Sequence, residues 1–314
     1  MNSVSLLRPA GIAGGALALV LLVSVPAAAS TIPIADDIFT FDESLTASSG
    51  VTVEPYAACE APPDPSAPCN ATTDFGTEGE DGYWQWSSTD EDRGGGFEYN
   101  PSQSIGTSYT ISLKFQIATE STGGSYTKII DYQNFDSDAG TYLSVVADPD
   151  WMFDFYSAEG TGPEGSEPTL FGVNEILDVA VVRDGTVAPA TFTADVRNAD
   201  GDFVEEFTFA DEFDEAVSFL DGAGHTVLGF FSEDGTGGEA ALAGRIFDLR
   251  VWYDTALTED QLNNVSAPDG REEEDALAAT GPNTSAATVG LLSALLLLTV
   301  GAALVARRRR TSLG

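Results

Sequence analysis

The chain has 314 residues, with 13 Lys and Arg against 50 Asp and Glu, a formal net charge of −37 and an isoelectric point near 4.1. So large an acidic excess argues against charge-driven binding of nucleic acid or anionic membranes, and favours solubility and tolerance of salt. A single histidine excludes a His-rich zinc site.

Residues 1–29 read as a secretory signal peptide. Arg8 supplies the positive start, Gly11 to Val25 the apolar segment and Ala27, Ala28 and Ala29 the small-residue cleavage site. A retained signal anchor would use the same segment, but its shortness and Pro26 directly before the small residues favour cleavage before Ser30. Cys59 and Cys69 follow, enclosing a loop with Pro62, Pro63, Pro65 and Pro68; in an oxidising compartment they are expected to form a disulfide.

Residues 30–268 carry short alternating segments split by Gly, Asp, Asn and Pro. Strands are expected near Val51 to Glu54 and Gly96 to Tyr99. Between them Tyr83, Trp84 and Trp86 offer rings of the kind that stack on sugars, or that plug a core. From Tyr109 to Ile117, apolar Tyr109, Ile111, Leu113, Phe115 and Ile117 alternate with Thr110, Ser112, Lys114 and Gln116, which predicts a strand with one buried face.

Further strands are predicted at Thr127 to Tyr132, Thr141 to Ala147, Trp151 to Tyr156, Ile176 to Arg183, Thr191 to Arg197, Phe203 to Phe209 and Val227 to Phe231. Ten or more short strands in one region, with no internal repeat and no long linker, predict an all-β antiparallel sandwich. His225 is expected to be a surface or turn residue. In the closing strand, Gly244 to Tyr253, strict alternation places Ile246, Asp248, Arg250 and Trp252 on one face and Phe247, Leu249, Val251 and Tyr253 on the other. Thr258 and Gln261 then form a capping box that opens a short helix.

The unit Gly244 to Val265 resembles the C-terminal signature of laminin G-like domains of the concanavalin A-like lectin/glucanase superfamily: a G-x-I-x-x-[VL]-R-[VI]-[WY] strand, an A-L-[ST] turn and a helix. Tyr109 to Phe115 resembles that family's early core strand, and Val179 to Gly185 its V-A-V-V-R-D-G hairpin. Ile176, Leu177 and Asp178 stand where the family has Trp-His-His. The resemblance spans roughly Phe39 to Val265 and implies a concanavalin A-like jelly roll.

It also implies a calcium ion held between loops by Asp side chains and backbone carbonyls. Asp131, Asp136 and Asp138 of one turn, with Asp248, are the candidates, although ordinary turn chemistry explains the turn acids equally well. The hydrolases of the superfamily use an E-x-D-x-E or E-x-D-x-x-E strand. No segment fits that spacing, so a non-enzymatic adhesion module binding an extracellular glycan or protein is expected, with a structural wall-coating protein, or a hydrolase with an unrecognised site, as the alternatives.

Residues 269–276 form an acidic spacer. Leu277, Ala278, Ala279, Thr280 and Gly281 follow, then an apolar run over residues 285–306 long enough to cross a bilayer, then the basic tail 307–314 with Arg307 to Arg310. This order resembles the cell-wall sorting signal of Gram-positive surface proteins, in the LAxTG form associated with class E sortases of high-GC bacteria. The resemblance implies cleavage after Thr280 by a sortase and transfer to a peptidoglycan precursor, through a transient membrane intermediate. A plain single-pass anchor would need the same span and arginines but not LAATG. The mature region, Ser30 to Thr280, would carry eight basic residues against all fifty acids.

Overall fold

The computed structural model describes residues 31–56, 72–87, 95–117, 126–134, 136–147, 150–158, 174–199, 201–232 and 243–265. The signal peptide, Cys59 and Cys69, the spacer, LAATG and the apolar run lie outside the described residues.

In chain order the elements are β1 (Asp37–Phe39), β2 (Val53–Pro55), β3 (Thr72–Glu78), β4 (Asp81–Ser87), β5 (Phe97–Tyr99), β6 (Tyr109–Ile117), β7 (Tyr126–Asp131) and β8 (Gly140–Ala147). They continue with β9 (Asp150–Tyr156), β10 (Ile176–Asp184), β11 (Ala190–Asn198), β12 (Phe203–Asp211), β13 (Phe219–Leu220), β14 (Thr226–Phe230), β15 (Gly244–Trp252) and α1 (Glu259–Val265). Two sheets result. One has eight strands in the order β12-β11-β10-β6-β15-β4-β3, with β1 also on β15; the other has seven, β2-β5-β14-β7-β8-β9, with β13 on β14.

The pairings are antiparallel. The fold is therefore the expected all-β antiparallel sandwich.

The two-residue period of the strands builds the core between the sheets. Ile111, Leu113 and Phe115 of β6, Val179 and Val181 of β10, and Leu249 and Val251 of β15 are fully buried. Their sheet meets the other through rings: Phe192 on Phe155 at 5.1 Å, Phe209 on Phe155 at 4.8 Å, Trp84 on Phe97 at 5.8 Å and Phe115 on Phe231 at 5.1 Å. Each such side chain contributes roughly 1.5–3 kcal/mol by leaving water.

A smaller apolar cluster lies on the other face of the eight-stranded sheet. There Ala180, Val182 and Trp252 are covered by Leu257, Leu262 of α1 and Ala35. The helix is capped as predicted, the Thr258 amide donating to Gln261 Oε1 at 2.9 Å.

Three details differ from expectation. Strand β6 is buried on most of both faces, because it is central and its Thr110, Ser112 and Gln116 are covered as well. Tyr83, Trp84 and Trp86 belong to a β3–β4 hairpin, which turns at Gly79 with φ of 66°. In β15 the register shifts between Ile246 and Asp248. This β-bulge returns Ile246 to the core beside Leu249 and Val251 and leaves Asp248, Arg250 and Trp252 outside.

Asp37 of β1 ties the sheets together at one end. Its carboxylate accepts from Tyr99 Oη of β5 at 2.5 Å, and also from the hydroxyls of Tyr253 and Ser49. Burial first, with the Asp37 carboxylate adding to it, holds the phenols of Tyr99 and Tyr253 well above the ordinary tyrosine range, so both remain donors. Asp37→Ala leaves these hydroxyls without their acceptor and is expected to lower the unfolding free energy by about 2–4 kcal/mol, read from urea unfolding. A loss below about 0.5 kcal/mol would show the hub to be dispensable.

Candidate functional site

The outer face of the eight-stranded sheet is polar where α1 does not cover it. Cross-strand partners on this face stand about 5 Å apart and are ordered by the register. In one row Asp74 of β3 faces Gln85 of β4, Gln85 faces Arg245 of β15, and Arg245 faces Gln116 of β6. In the next, Asp248 of β15 faces Lys114 of β6, Lys114 faces Asp178 of β10, and Asp178 faces Arg197 of β11. The bulge in β15 is what lets Arg245 and Asp248 share this face despite their odd spacing.

Most of these charges are paired. Lys114 reaches Asp81 at 2.9 Å, Arg250 reaches Asp248 at 2.9 Å, and Arg197 makes two bonds to Asp195 at 2.8 and 2.9 Å. Arg197 also donates to Asn263 Oδ1 at 2.6 Å, at the border with α1. Arg245 donates to Gln116 Oε1 at 2.5 Å and pairs with Glu78.

Asp178 is different: among the described residues its carboxylate takes no hydrogen bond and no ion pair. Burial, and then the charge of Asp248, push its carboxyl up to about 7 against the pull of Arg250, Lys114 and Arg197. Burial raises Asp248 too, with Arg250 opposing.

Beside these rows lies a pocket of ≈ 330 Å³. Asp74, Gln85, Gln116 and Arg245 supply its polar groups, with Trp86, Ser87, Ala243 and Gly244 completing the wall. Gly244 is required there, because a Cβ would stand 2.7 Å from Trp86 Cζ2 and 2.8 Å from the Gln116 carbonyl oxygen. Tyr83 borders the rows with its ring across Gly76, where a Cβ would meet Tyr83 Cζ at 2.4 Å. The Arg245 guanidinium stands 4.8 Å from the Tyr83 ring and 5.2 Å from that of Phe247.

Of the three aromatics singled out in the sequence, only Tyr83 stands on the outer face of β4, while Trp86 meets the pocket from the core side. Trp84 and Trp86 are 1% and 2% exposed, their rings 5.4 Å apart and tilted, facing Phe97 and Phe231 in the core, so they are not an exposed sugar platform. The alternation of β4 carries the reason: Trp84 and Trp86 share its inner face, Tyr83 and Gln85 its outer one.

The four predicted calcium ligands are not brought together. Asp131 is buried and accepts from Lys128 Nζ and the Gln133 amide, both at 3.0 Å, while Asp136 is exposed and Asp138 accepts from Tyr142 Oη at 3.2 Å. Asp248 belongs to the other sheet. Among the described residues no group of three or more His, Cys, Asp and Glu is placed to hold a metal ion. His225 is at the surface, its Nδ1 3.5 Å from Asp221. Gln85, Gln116, Arg245 and Asp178 were missed as site residues, since strand alternation puts them outside but does not say which outer residues form a pocket.

No protein-family model and no curated protein matches the chain. Among solved structures it is similar to domain 4 of a GH43 extracellular arabinanase from Geobacillus stearothermophilus in complex with arabinotriose, at 15% identity and TM-score 0.49, covering 75% of this chain and 100% of that one. It is similar to the botulinum neurotoxin serotype D binding domain at 11% identity and TM-score 0.45, covering 74% of this chain and 51% of that one, so it spans about half that domain's length. A SAP-like pentraxin from Limulus polyphemus gives 20% identity and TM-score 0.36, over 54% of this chain and 75% of the other. These likenesses assign no ligand to this chain.

A carboxyl raised on folding contributes stability below its unfolded pKa, and the contribution is lost as pH rises through the folded value. For Asp178 the loss falls between its ordinary 3.8 and about 7. Asp178→Asn, which cannot ionise, is expected to match the parent chain in urea midpoint near pH 4 and exceed it near pH 8. Parallel profiles across that range would show that Asp178 titrates as an ordinary carboxylate.

Proposed function

We propose that the protein is a cell-wall-anchored surface protein whose sandwich is a non-enzymatic module binding an extracellular carbohydrate. One observation carries the binding reading. Two amides, a carboxylate and a guanidinium from four neighbouring strands converge on one pocket, with Tyr83 alongside. Planar polar groups beside a ring suit hydroxyl-rich ligands, whose two faces differ in polarity. The anchoring reading is supported by the ordered sequence of export signal, LAATG, apolar run and Arg307 to Arg310. Sortase and a peptidoglycan precursor are the partners it requires.

A glycan array probed with the Ser30 to Asp275 fragment, with and without calcium, tests the binding. Selective binding is expected, weakened about tenfold by Arg245→Ala or Gln85→Ala. Silence in both conditions would leave a structural, wall-coating role. For the anchor, Thr280→Ala is expected to move the protein from the covalent wall fraction to the membrane fraction. A variant still linked to the wall would refute processing at this site.

The face also favours a second reading. Asp178 and Asp248 flank Lys114, and burial raises both carboxyls, the arrangement a glycan hydrolase would need. Release of reducing ends from an array ligand, abolished by Asp178→Asn, would replace the non-enzymatic reading with this one.

A further inference from the structure

The ionic composition of the outer face is unlike that of the rest of the chain. Of the eight basic residues in Ser30 to Thr280, Lys128 and Arg183 are 0% and 1% exposed in buried pairs with Asp131 and Asp211. Arg93 and Arg271 lie outside the described residues. The other four, Lys114, Arg197, Arg245 and Arg250, all stand on this one face. Each has its own carboxylate: Asp81, Asp195, Glu78 and Asp248.

The face is thus polar yet nearly charge-compensated, within a protein of strongly negative field. An anionic ligand would find the cations already paired and the surroundings repulsive. A cation would be drawn to the many unpaired acids elsewhere on the surface. An uncharged ligand rich in hydroxyls meets neither penalty.

Two side chains on the face are unspent. Gln85 and Asp178 make no hydrogen bond among the described residues, while their neighbours are engaged with one another. They stand at the two ends of the strand series β4-β15-β6-β10. Three inter-strand gaps and two residues along the strand separate them, a span of about 16 Å. That is the length of a trisaccharide.

Building on the carbohydrate reading, we infer that the pocket and the charged row are one continuous subsite for an uncharged oligosaccharide of three or more units laid across the strands. Tyr83 and Gln85 hold one end and Asp178 accepts hydroxyl hydrogens at the other. A carboxylate without a partner accepts from two vicinal hydroxyls at once, a role that Asp248, Asp195 and Asp81 cannot play without giving up an arginine or lysine.

Calorimetry with the full purified chain and linear neutral oligosaccharides of glucose, mannose, galactose and arabinose, one to five units long, tests this. The expected result is an affinity that rises about tenfold or more between two and three units for the sugar that binds, then levels off. Asp178→Ala is expected to erase that rise, with an unchanged circular-dichroism spectrum and urea midpoint at pH 4 showing that the variant is folded. Tyr83→Ala is expected to weaken every length. Uronic-acid oligomers of equal length are expected to bind at least tenfold more weakly.

Affinity independent of length, an Asp178→Ala variant that keeps the trisaccharide gain, or a preference for the uronic acids would overturn the extended subsite while leaving a carbohydrate module in place. Binding to none of these sugars at any length would overturn both readings.

Discussion

Everything in this molecule rests on the two-residue period of three adjacent strands, β10, β6 and β15. Their inner side chains, from Val179 through Leu113 to Val251, are fully buried and meet the rings of the second sheet. Because those positions must be apolar, the alternate positions are the ones left free for other duties. Half of that outer face is used structurally, where Trp252, Ala180 and Val182 accept α1. The other half holds rows of amides and ion pairs. The same alternation therefore produces the core, the seat of the helix and the candidate site.

Paired charges on the open half do more than satisfy one another. The bonds from Arg197 to Asp195 and from Arg250 to Asp248 join residues two apart on one strand. Arg197 and Asp195 are buried and the other pair is half-buried, so the attraction within each pair is largely offset by the cost of drawing it from water. What they do is fix long side chains in place, so that the surface offered to a ligand has a defined shape before the ligand arrives. Gln116, held between Arg245 and the Asn174 carbonyl, is another such fixed group.

Much of the fold was legible in the sequence, and for identifiable reasons. Tyr109 to Ile117 alternates without a break, and β6 occupies those residues. Thr258 and Gln261 sit at the spacing of a capping box, and the amide of Thr258 finds the glutamine. The β3–β4 hairpin was harder to see because β3 is an edge strand with Gly76 in its middle and few apolar residues, leaving the tryptophans of β4 without a visible context.

The site was less legible than the fold. Gln85 and Gln116 belong to strands 31 positions apart and touch neither end of any motif. They are brought near one another by β15, which lies between β4 and β6, an adjacency set by long-range pairing. The calcium candidates lie apart for a similar reason. Asp131 lies near Asp136 and Asp138 in sequence, but the ammonium of Lys128, buried beneath the turn, has taken its carboxylate.

The bulge at Phe247 decides what stands between the two polar rows. On either side of it the strand runs in opposite phase: Arg245 and Asp248 both look outward, while Ile246 and Leu249 both look inward. A strand lacking Phe247 would keep a regular ladder with both residues still outward, because Arg245 and Asp248 would then stand two positions apart, opposite Gln116 and Lys114. What the extra residue adds is a ring between the rows: Phe247 lies 5.7 Å from Tyr83, with Lys114 and Arg245 over its face at 5.6 and 5.2 Å. Loss of that single residue would therefore spare the charges and amides and strip away only the apolar ridge between them.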